Sequence, residues 1–465
     1  MVRTTEKHTA VDSSLEDTVA TDDTRRFQTA GDIATNDPVT NRKLVSRKRD
    51  DAPRLYDLNF ALVLVMQFFF VVANTLIAHY ARWIEFLGGN VAQVGWIIGV
   101  STVLGMVLRP WMGEWIDRVG PRKSWFLGIV VFALGAFGNL LLTDLHTGIY
   151  AFRSCLAVGG AIVFLSTLTY VTHVTPSGRR TEAIGIMGCG GMVGMLVGPG
   201  LGDLLLSSAS TRDNFVVLFI AAGSGCVIPA TLLFFLRPSP GKLGTGKVGL
   251  TGFFRNVQRY WPGMIVLVSV VYGACMVLPF VFLASYIDEF SLHLPGLSVI
   301  GMFFWCYSGC GVLVRTLLRR VPDQWGRRKM LLLGLSLLCS GQIVFALSAE
   351  TLIPSNTWLI IAPAMLMGSG HGMIYHTLTS LSIERFPAHA RATGSAFCML
   401  LTDCGMLVGA PILGWVAGTF GYQWMVGVLA CLILIAAAAY AYSSIPVWQA
   451  RREDKLSPSA AVKIR

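Results

Sequence analysis

The sequence predicts an all-α, polytopic membrane protein with about twelve transmembrane helices in two pseudo-symmetric six-helix bundles. Three observations predict it. Of 465 residues, 54% are hydrophobic and 14% charged, with a mean hydropathy of +0.60; a soluble domain carries roughly 25% charged residues. Apolar runs of about 20 residues, the length that crosses a bilayer, recur along the chain. One charged loop is also written twice. Arg109, Gly113, Asp117, Arg118, Gly120, Arg122 and Lys123 are answered by Arg315, Asp323, Gly326, Arg328 and Lys329, with Arg109/Arg315, Asp117/Asp323 and Gly120/Gly326 each 206 residues apart. A repeat on that scale means two similar halves.

Taken in order, the apolar runs place helices near Leu58–Ala78, Val94–Met112, Trp125–Leu142, Tyr150–Val171, Ala183–Leu206 and Phe215–Leu236. The second half follows near Met264–Tyr286, Val299–Leu318, Met330–Leu347, Trp358–Leu381, Thr393–Trp415 and Trp424–Tyr442. These divide the chain into a disordered N-terminal tail (1–55), a first bundle (56–236), a linker (237–261), a second bundle (262–445) and a C-terminal tail (446–465). The mixed-charge, Thr- and Asp-rich composition of residues 1–50 predicts the disordered tail. The first apolar run is too long for a cleaved signal.

The net charge of +11 is topological rather than a nucleic-acid signal. Arg and Lys gather in alternate loops, among them Arg47–Arg49, Arg118–Lys123, Arg179-Arg180 and Arg319–Lys329, while the intervening loops carry Glu85, Asp144, Asp213, Asp288-Glu289 and Glu350, with only Arg82 and Arg212 as bases. Positive-inside bias therefore puts both termini and the repeated loops in the cytoplasm of a cell-membrane protein. All ten cysteines fall inside predicted helices without a CxxC pair, and read as small packing residues. No metal site is expected.

A second repeat supports the two halves. Gly194-Met-Leu-Val-Gly198 returns as Gly405-Met-Leu-Val-Gly409, 211 residues on, and Pro176…Arg180 returns as Pro387…Arg391 at the same offset. The linker contains a near-match to a phosphate-binding loop, Gly241…Gly246-Lys247-Val248. Val248 stands where Ser or Thr would hold magnesium, and no strand precedes it, so a flexible basic loop is the better account.

On these residues the chain, over roughly 55–445, resembles the major facilitator superfamily. Gly113-x3-Asp117-Arg118-x-Gly120-x-Arg122-Lys123 is similar to that family's signature between helices 2 and 3. The second copy fits with Arg319 for the glycine and Gln324 for the arginine. Arg153…Gly159-x-Ala161 partly matches the arginine-bearing helix 4. Gly190, Gly194, Gly198-Pro199 and Gly202 resemble the antiporter branch. The resemblance implies a conformational latch in the repeated loops and a kinked glycine stripe at the moving interface between halves. The physics agrees on the latch: a carboxylate such as Asp117 or Asp323 near a helix N-terminus gains about 0.3–1 kcal/mol, and such a contact forms in one conformation and breaks in another. Glycines at every fourth position let two helices approach closely in lipid, and Pro199 predicts a kink.

Ionisable groups at membrane depth are costly and usually face a cavity. Arg153, in the outer third of helix 4, is a candidate to hold an anionic solute or to tune a nearby acid, with snorkelling to the interface as the alternative. Asp403, in mid-helix 11, has Met192 as its counterpart, so symmetry does not demand it. It reads as a protonatable coupling site, or otherwise as a structural acid bonded to a neighbouring helix. His371, sharing a face with Tyr375, is a candidate for substrate or proton handling, with a lone packing histidine as the alternative, whereas His376 points elsewhere. Gln67 and Asn74, seven residues apart, are candidate cavity-lining amides, and Tyr272, Trp305 and Tyr307 candidate aromatic walls.

Together these predict a secondary transporter, moving a small organic solute by alternating access and exporting it in exchange for protons. It would act as a monomer in a lipid bilayer, with the proton gradient and no cofactor as its energy source. Proton-linked uptake of a small organic anion is the alternative, with a non-transporting receptor as a more distant one. The short, scattered-acid loops offer no constellation for a membrane enzyme.

Overall fold

The computed structural model describes residues 56–89, 91–206, 211–238, 249–295 and 297–456. The expected N-terminal tail and the phosphate-loop-like stretch lie outside the described residues. Among those described, twelve helices are long and apolar enough to cross a membrane. Spans 1 to 6 are Leu58–Phe86, Trp96–Val119, Pro121–Leu141, Gly148–Val174, Ser177–Leu206 and Arg212–Phe235. Spans 7 to 12 are Ile265–Phe282, Val299–Leu317, Arg327–Ser348, Thr357–Glu384, Ala388–Phe420 and Tyr422–Ser443.

Local chemistry explains where the spans begin. Asp57 caps span 1 by accepting from Phe60 N at 2.9 Å, and Ser298 caps span 8 by accepting from Gly301 N at 3.1 Å. Each satisfies an amide that the first helical turn leaves without a partner. Spans 3 and 9 instead start after a sharp reversal at Gly120 (φ +92°) and Gly326 (φ +104°), a backbone region that L side chains rarely adopt. That requirement accounts for the glycine in both copies of the repeated loop. The continuous helix expected over Met264–Tyr286 is interrupted. Ile265–Cys275 gives way to a π-turn at Leu278–Phe282 and then to Leu283–Glu289, because Pro279 lacks an N–H and displaces the regular ladder. At the other extreme, the last helix runs from Tyr422 on to Leu456, beyond the apolar run, ending in Gln449-Ala-Arg-Arg-Glu-Asp-Lys-Leu456, most of which are good helix formers.

Two separate hydrophobic cores form, one among spans 1 to 6 and one among spans 7 to 12. The pairings repeat. Span 3 packs on 4, 1 on 5, 2 on 4 and 3 on 6, as 9 packs on 10, 7 on 11, 8 on 10 and 9 on 12. The halves meet through two equivalent seams, span 2 against 11 and span 8 against 5. A third apolar cluster closes the end that carries the repeated loops, here called the basic end. It mixes Met112, Ile116 and Leu165 with Phe386, Ala392 and Phe397.

The glycine stripe lies elsewhere than expected. A Cβ on Gly190, Gly194, Gly198 or Gly202 would meet Leu64, Phe68 and Val71, Thr75, and His79 respectively, all on span 1. In the second half, Gly405 and Gly409 press on Val270 and Ala274 of span 7. The stripe is thus internal to each half and not at the interface between them. Spacing defines a face but not the partner, and here the partner is a neighbour within the same bundle. Pro199 produces no break in the helix, which runs unbroken over Arg180–Leu206. The glycines therefore belong to folding: Gly405→Leu is expected to cost about 1–3 kcal/mol by overpacking, seen as a lower Tm in detergent. Basic-end labelling of the surviving folded protein should stay unchanged.

Candidate functional site

At the basic end, each repeated loop reaches across to the other half. Asp117 accepts from Ala392 N at 2.8 Å, from Thr393 N at 2.9 Å and from the Thr393 hydroxyl at 2.8 Å. A buried carboxylate thereby caps the N-terminus of span 11, where helix partial charge favours an anion. Asp323 does the same for span 5, accepting from Glu182 N at 3.1 Å, while Arg327 Nε donates to it at 3.0 Å. Gly113 lets the first contact close, because a Cβ there would press on Ala396 and Ala392 O at 2.8 and 3.1 Å.

More bonds cross the same end. Arg391 donates to Thr172 O at 2.8 Å, His173 Nε2 lies 2.9 Å from Ala388 O, and Arg327 donates to Ser177 O at 2.8 Å. Glu182 gathers Arg179 at 2.8 Å and Arg320 at 3.5 Å, and accepts from the Tyr56 hydroxyl at 2.6 Å. Burial, reinforced by that bond, pushes the Tyr56 hydroxyl up to about 12. Glu182 and Thr393 escaped the sequence reading, although the 211-residue offset maps one onto the other. Arg122 serves its own half, donating to Phe234 O at 3.0 Å. Arg118 and Arg328 make no hydrogen bond or ion pair among the described residues. Behind Asp117 a cavity of about 570 Å³, lined by Arg122, Lys123, Phe126 and Phe234, lies on first-half residues together with Pro238 of the linker.

Deeper in, the two repeated arginines depart from the loops. Arg109 Nε lies 2.6 Å from Asp403 Oδ2, the side chains being 15% and 33% exposed, and Arg109 NH1 lies 3.1 Å from Met399 Sδ. This ion pair joins span 2 to span 11 across the seam. Asp403 stands about 18 Å along its helix from Arg391, near the middle of a ~30 Å hydrocarbon layer. The sequence reading put Arg109 with the loop latch and Asp403 with the proton pathway; the structure brings them together.

Arg315, the mate of Arg109, pairs with no acid among the described residues. It is 2% exposed, donates to Gly372 O at 3.2 Å and lies 5.3 Å over the Tyr375 ring. Gly188 of span 5 packs against its guanidinium, so Arg315 sits in the span 5–8 seam and not in the loop latch. Tyr375 stacks on His371 with ring centroids 6.2 Å apart. His371 Nδ1 lies 2.8 Å from the Tyr272 hydroxyl, and Tyr307 closes the nest at 5.5 Å. His371 is therefore partnered rather than lone. His376 Nδ1 is buried without a hydrogen bond and faces Gly185 of span 5.

Trp305 on span 8 is 53% exposed and so is no buried wall, and the remaining candidates belong to the first half. Arg153 lies 5.0 Å over the Tyr80 ring, and Tyr80 and Trp83 both donate to Asn139 at 2.7 and 3.2 Å. No contact among the described residues links Arg153 to Asp403 or His371. Gln67, 5% exposed, has a buried Oε1 without a hydrogen bond and lies beside Gly191. Asn74 is half-buried and lies beside Gly160.

Twelve spans in two matched bundles, latched at one end by loop carboxylates on opposite helix N-termini, define a polytopic transporter body. The sequence profile of the Major Facilitator Superfamily matches residues 58–323 and 298–462, and the chain belongs to that superfamily. It is 24% identical over 361 residues to the staphylopine export protein of Staphylococcus aureus, covering 75% of this chain and 86% of that one. It is also 24% identical over 449 residues to the putative multidrug resistance protein MdtD of Escherichia coli, covering 81% and 91%. Among solved structures, the superfamily transporter FucP in an outward conformation matches at TM-score 0.66 and 16% identity, over 83% of this chain and 99% of that one. The human organic anion transporter MFSD10 matches at TM-score 0.63 and 14% identity, over 82% and 98%. All four are transporters, and none is an enzyme.

Proposed function

We propose that the protein exports a small organic solute from the cell in exchange for protons, by alternating access between its two halves. In this reading both termini and the basic end face the cytoplasm, and a monomer works from the proton gradient without a cofactor. The Arg109–Asp403 pair carries the proposal. It bridges the halves near mid-depth, and its partial exposure gives a proton a route to the acid. A proton on Asp403 removes the charge that holds Arg109, so the seam loosens. Loss of the proton restores the pair and closes the cytoplasmic side. The closed basic end corresponds to an outward-facing state, with Asp117 and Asp323 engaged. The names of the two relatives above, an export protein and a multidrug resistance protein, support the outward direction.

The second reading, proton-linked uptake of a small organic anion, is favoured by Arg315. A buried cation that no acid among the described residues pairs with leaves room for a carboxylate supplied by cargo, and Tyr272, Tyr307 and His371 offer it walls. Direction separates the two. In proteoliposomes oriented with the basic end outward, an interior acidic relative to the medium should drive cargo inward, as protons leave. Cargo moving out together with the protons would overturn export and leave uptake standing.

A further inference from the structure

The linker between the halves contains a helix, Leu250–Arg259, at the basic end. Phe253 and Val257, four residues apart, are 0% and 5% exposed. They enter the apolar cluster that mixes Met112 and Ile116 of span 2 with Phe386 and Phe397 of the second half. The two ends of the helix are tied to opposite halves. At its start, Gly249 N donates to Glu114 Oε2 at 2.5 Å. A side chain at Gly252 would collide with the same carboxylate, so the first turn is built around Glu114. At its far end, Arg385 donates to Trp261 O at 2.7 Å, Trp261 lies 5.9 Å from Phe397, and Tyr260 lies 5.8 Å from Phe386.

Glu114 sits beside the repeated signature without belonging to it. The 206-residue offset maps it onto Arg320, which pairs with Glu182, so the arrangement has no counterpart at the other seam. A carboxylate 7% exposed at a helix N-terminus is satisfied by the amides it faces, and here it fixes where the linker helix docks.

We infer that Glu114 is a positioning residue for the gate. It holds Leu250–Arg259 as a third closure of the basic end, beside Asp117 and Asp323, and that helix must leave span 2 before the end can open. This rests on the alternating-access reading above. Geometry permits the release: ten residues span about 15 Å as a helix, whereas the same ten unwound reach at least about 33 Å. Undocking thus gives the halves slack without breaking the Arg385–Trp261 tie.

Hydrogen–deuterium exchange on the full chain in lipid nanodiscs tests it. Glu114→Gln and Gly252→Leu should each raise exchange at least tenfold both in 250–259 and in the first turns of span 11, at 388–396. Glu114→Asp, which keeps the charge, should stay within about threefold of the parent, and peptides of span 6 should not change in any folded variant. Faster exchange confined to 250–259 would make the helix a passenger and overturn the inference, as would Glu114→Gln leaving 250–259 unchanged. Asp117→Ala, run alongside, shows which idea has failed. If it opens 388–396 while Glu114→Gln does not, the clasp falls and the gate stands. If neither opens it, the alternating-access latch falls as well.

Discussion

Replacing Asp403 with Asn is expected to abolish proton-coupled transport while leaving the folded protein intact. The variant keeps Arg109 as a partly buried cation and removes the anion 2.6 Å from it. Breaking a fully buried pair from one side costs about 3–5 kcal/mol. With these side chains 15% and 33% exposed, about 1–3 kcal/mol is the fitting range, which shifts a two-state equilibrium about 5- to 150-fold. That shift disfavours the closed basic end. More importantly, no proton then toggles the seam. For a cargo that the parent is shown to carry, counterflow without a gradient should persist, and accumulation against a gradient should fall by at least about a hundredfold. Gradient-driven accumulation at the parental rate would refute a coupling role for Asp403 and leave it a structural acid.

Asp117→Ala should open the basic end more than Asp323→Ala does. The first variant removes three acceptor contacts to Ala392 and Thr393, the second one backbone contact across the seam, at Glu182. Hydrogen bonds to a charged partner contribute roughly 1.5–3 kcal/mol each, with less than additive loss where one helix end shares them. Asp117→Ala should therefore favour the open form by at least about tenfold more than Asp323→Ala. Labelling of a cysteine introduced at the exposed His389 reads this as a rate. Equal rates in the two variants would mean that the latches are interchangeable, contrary to their unequal bonding.

Much of the body was legible in the sequence because bilayer crossing is a local constraint: each span must hold about 20 apolar residues whatever its neighbours are. The glycines at 120 and 326 were legible for a similar reason, since a backbone reversal leaves its mark on one residue. Pairing between halves was not. Asp403 stood out as a charge at depth and Arg109 as part of the repeated loop, but nothing in 3.6-residue periodicity encodes which helix of the other bundle a side chain meets. The glycine stripe shows the same gap, since its face was correct and its neighbour was not. The linker helix was missed for a different reason. Leu250, Phe253, Phe254 and Val257 follow helical spacing, but a ten-residue amphipathic segment falls below the roughly 20-residue apolar run that marks a membrane crossing.

The body is doubled but the acid is single: where one half supplies Asp403, the other supplies Met192, whose thioether packs on Gly311. In the proposed cycle Asp403 is the one coupling acid at mid-depth, and one elementary charge per turnover would ride on that residue. Exchange of a proton for an uncharged cargo would then be electrogenic and would respond to membrane voltage as well as to pH, at about 2.3 kcal/mol per 100 mV. Exchange for a monovalent cation would be electrically silent, so current recorded across a supported bilayer reports the charge of the cargo before its identity is known.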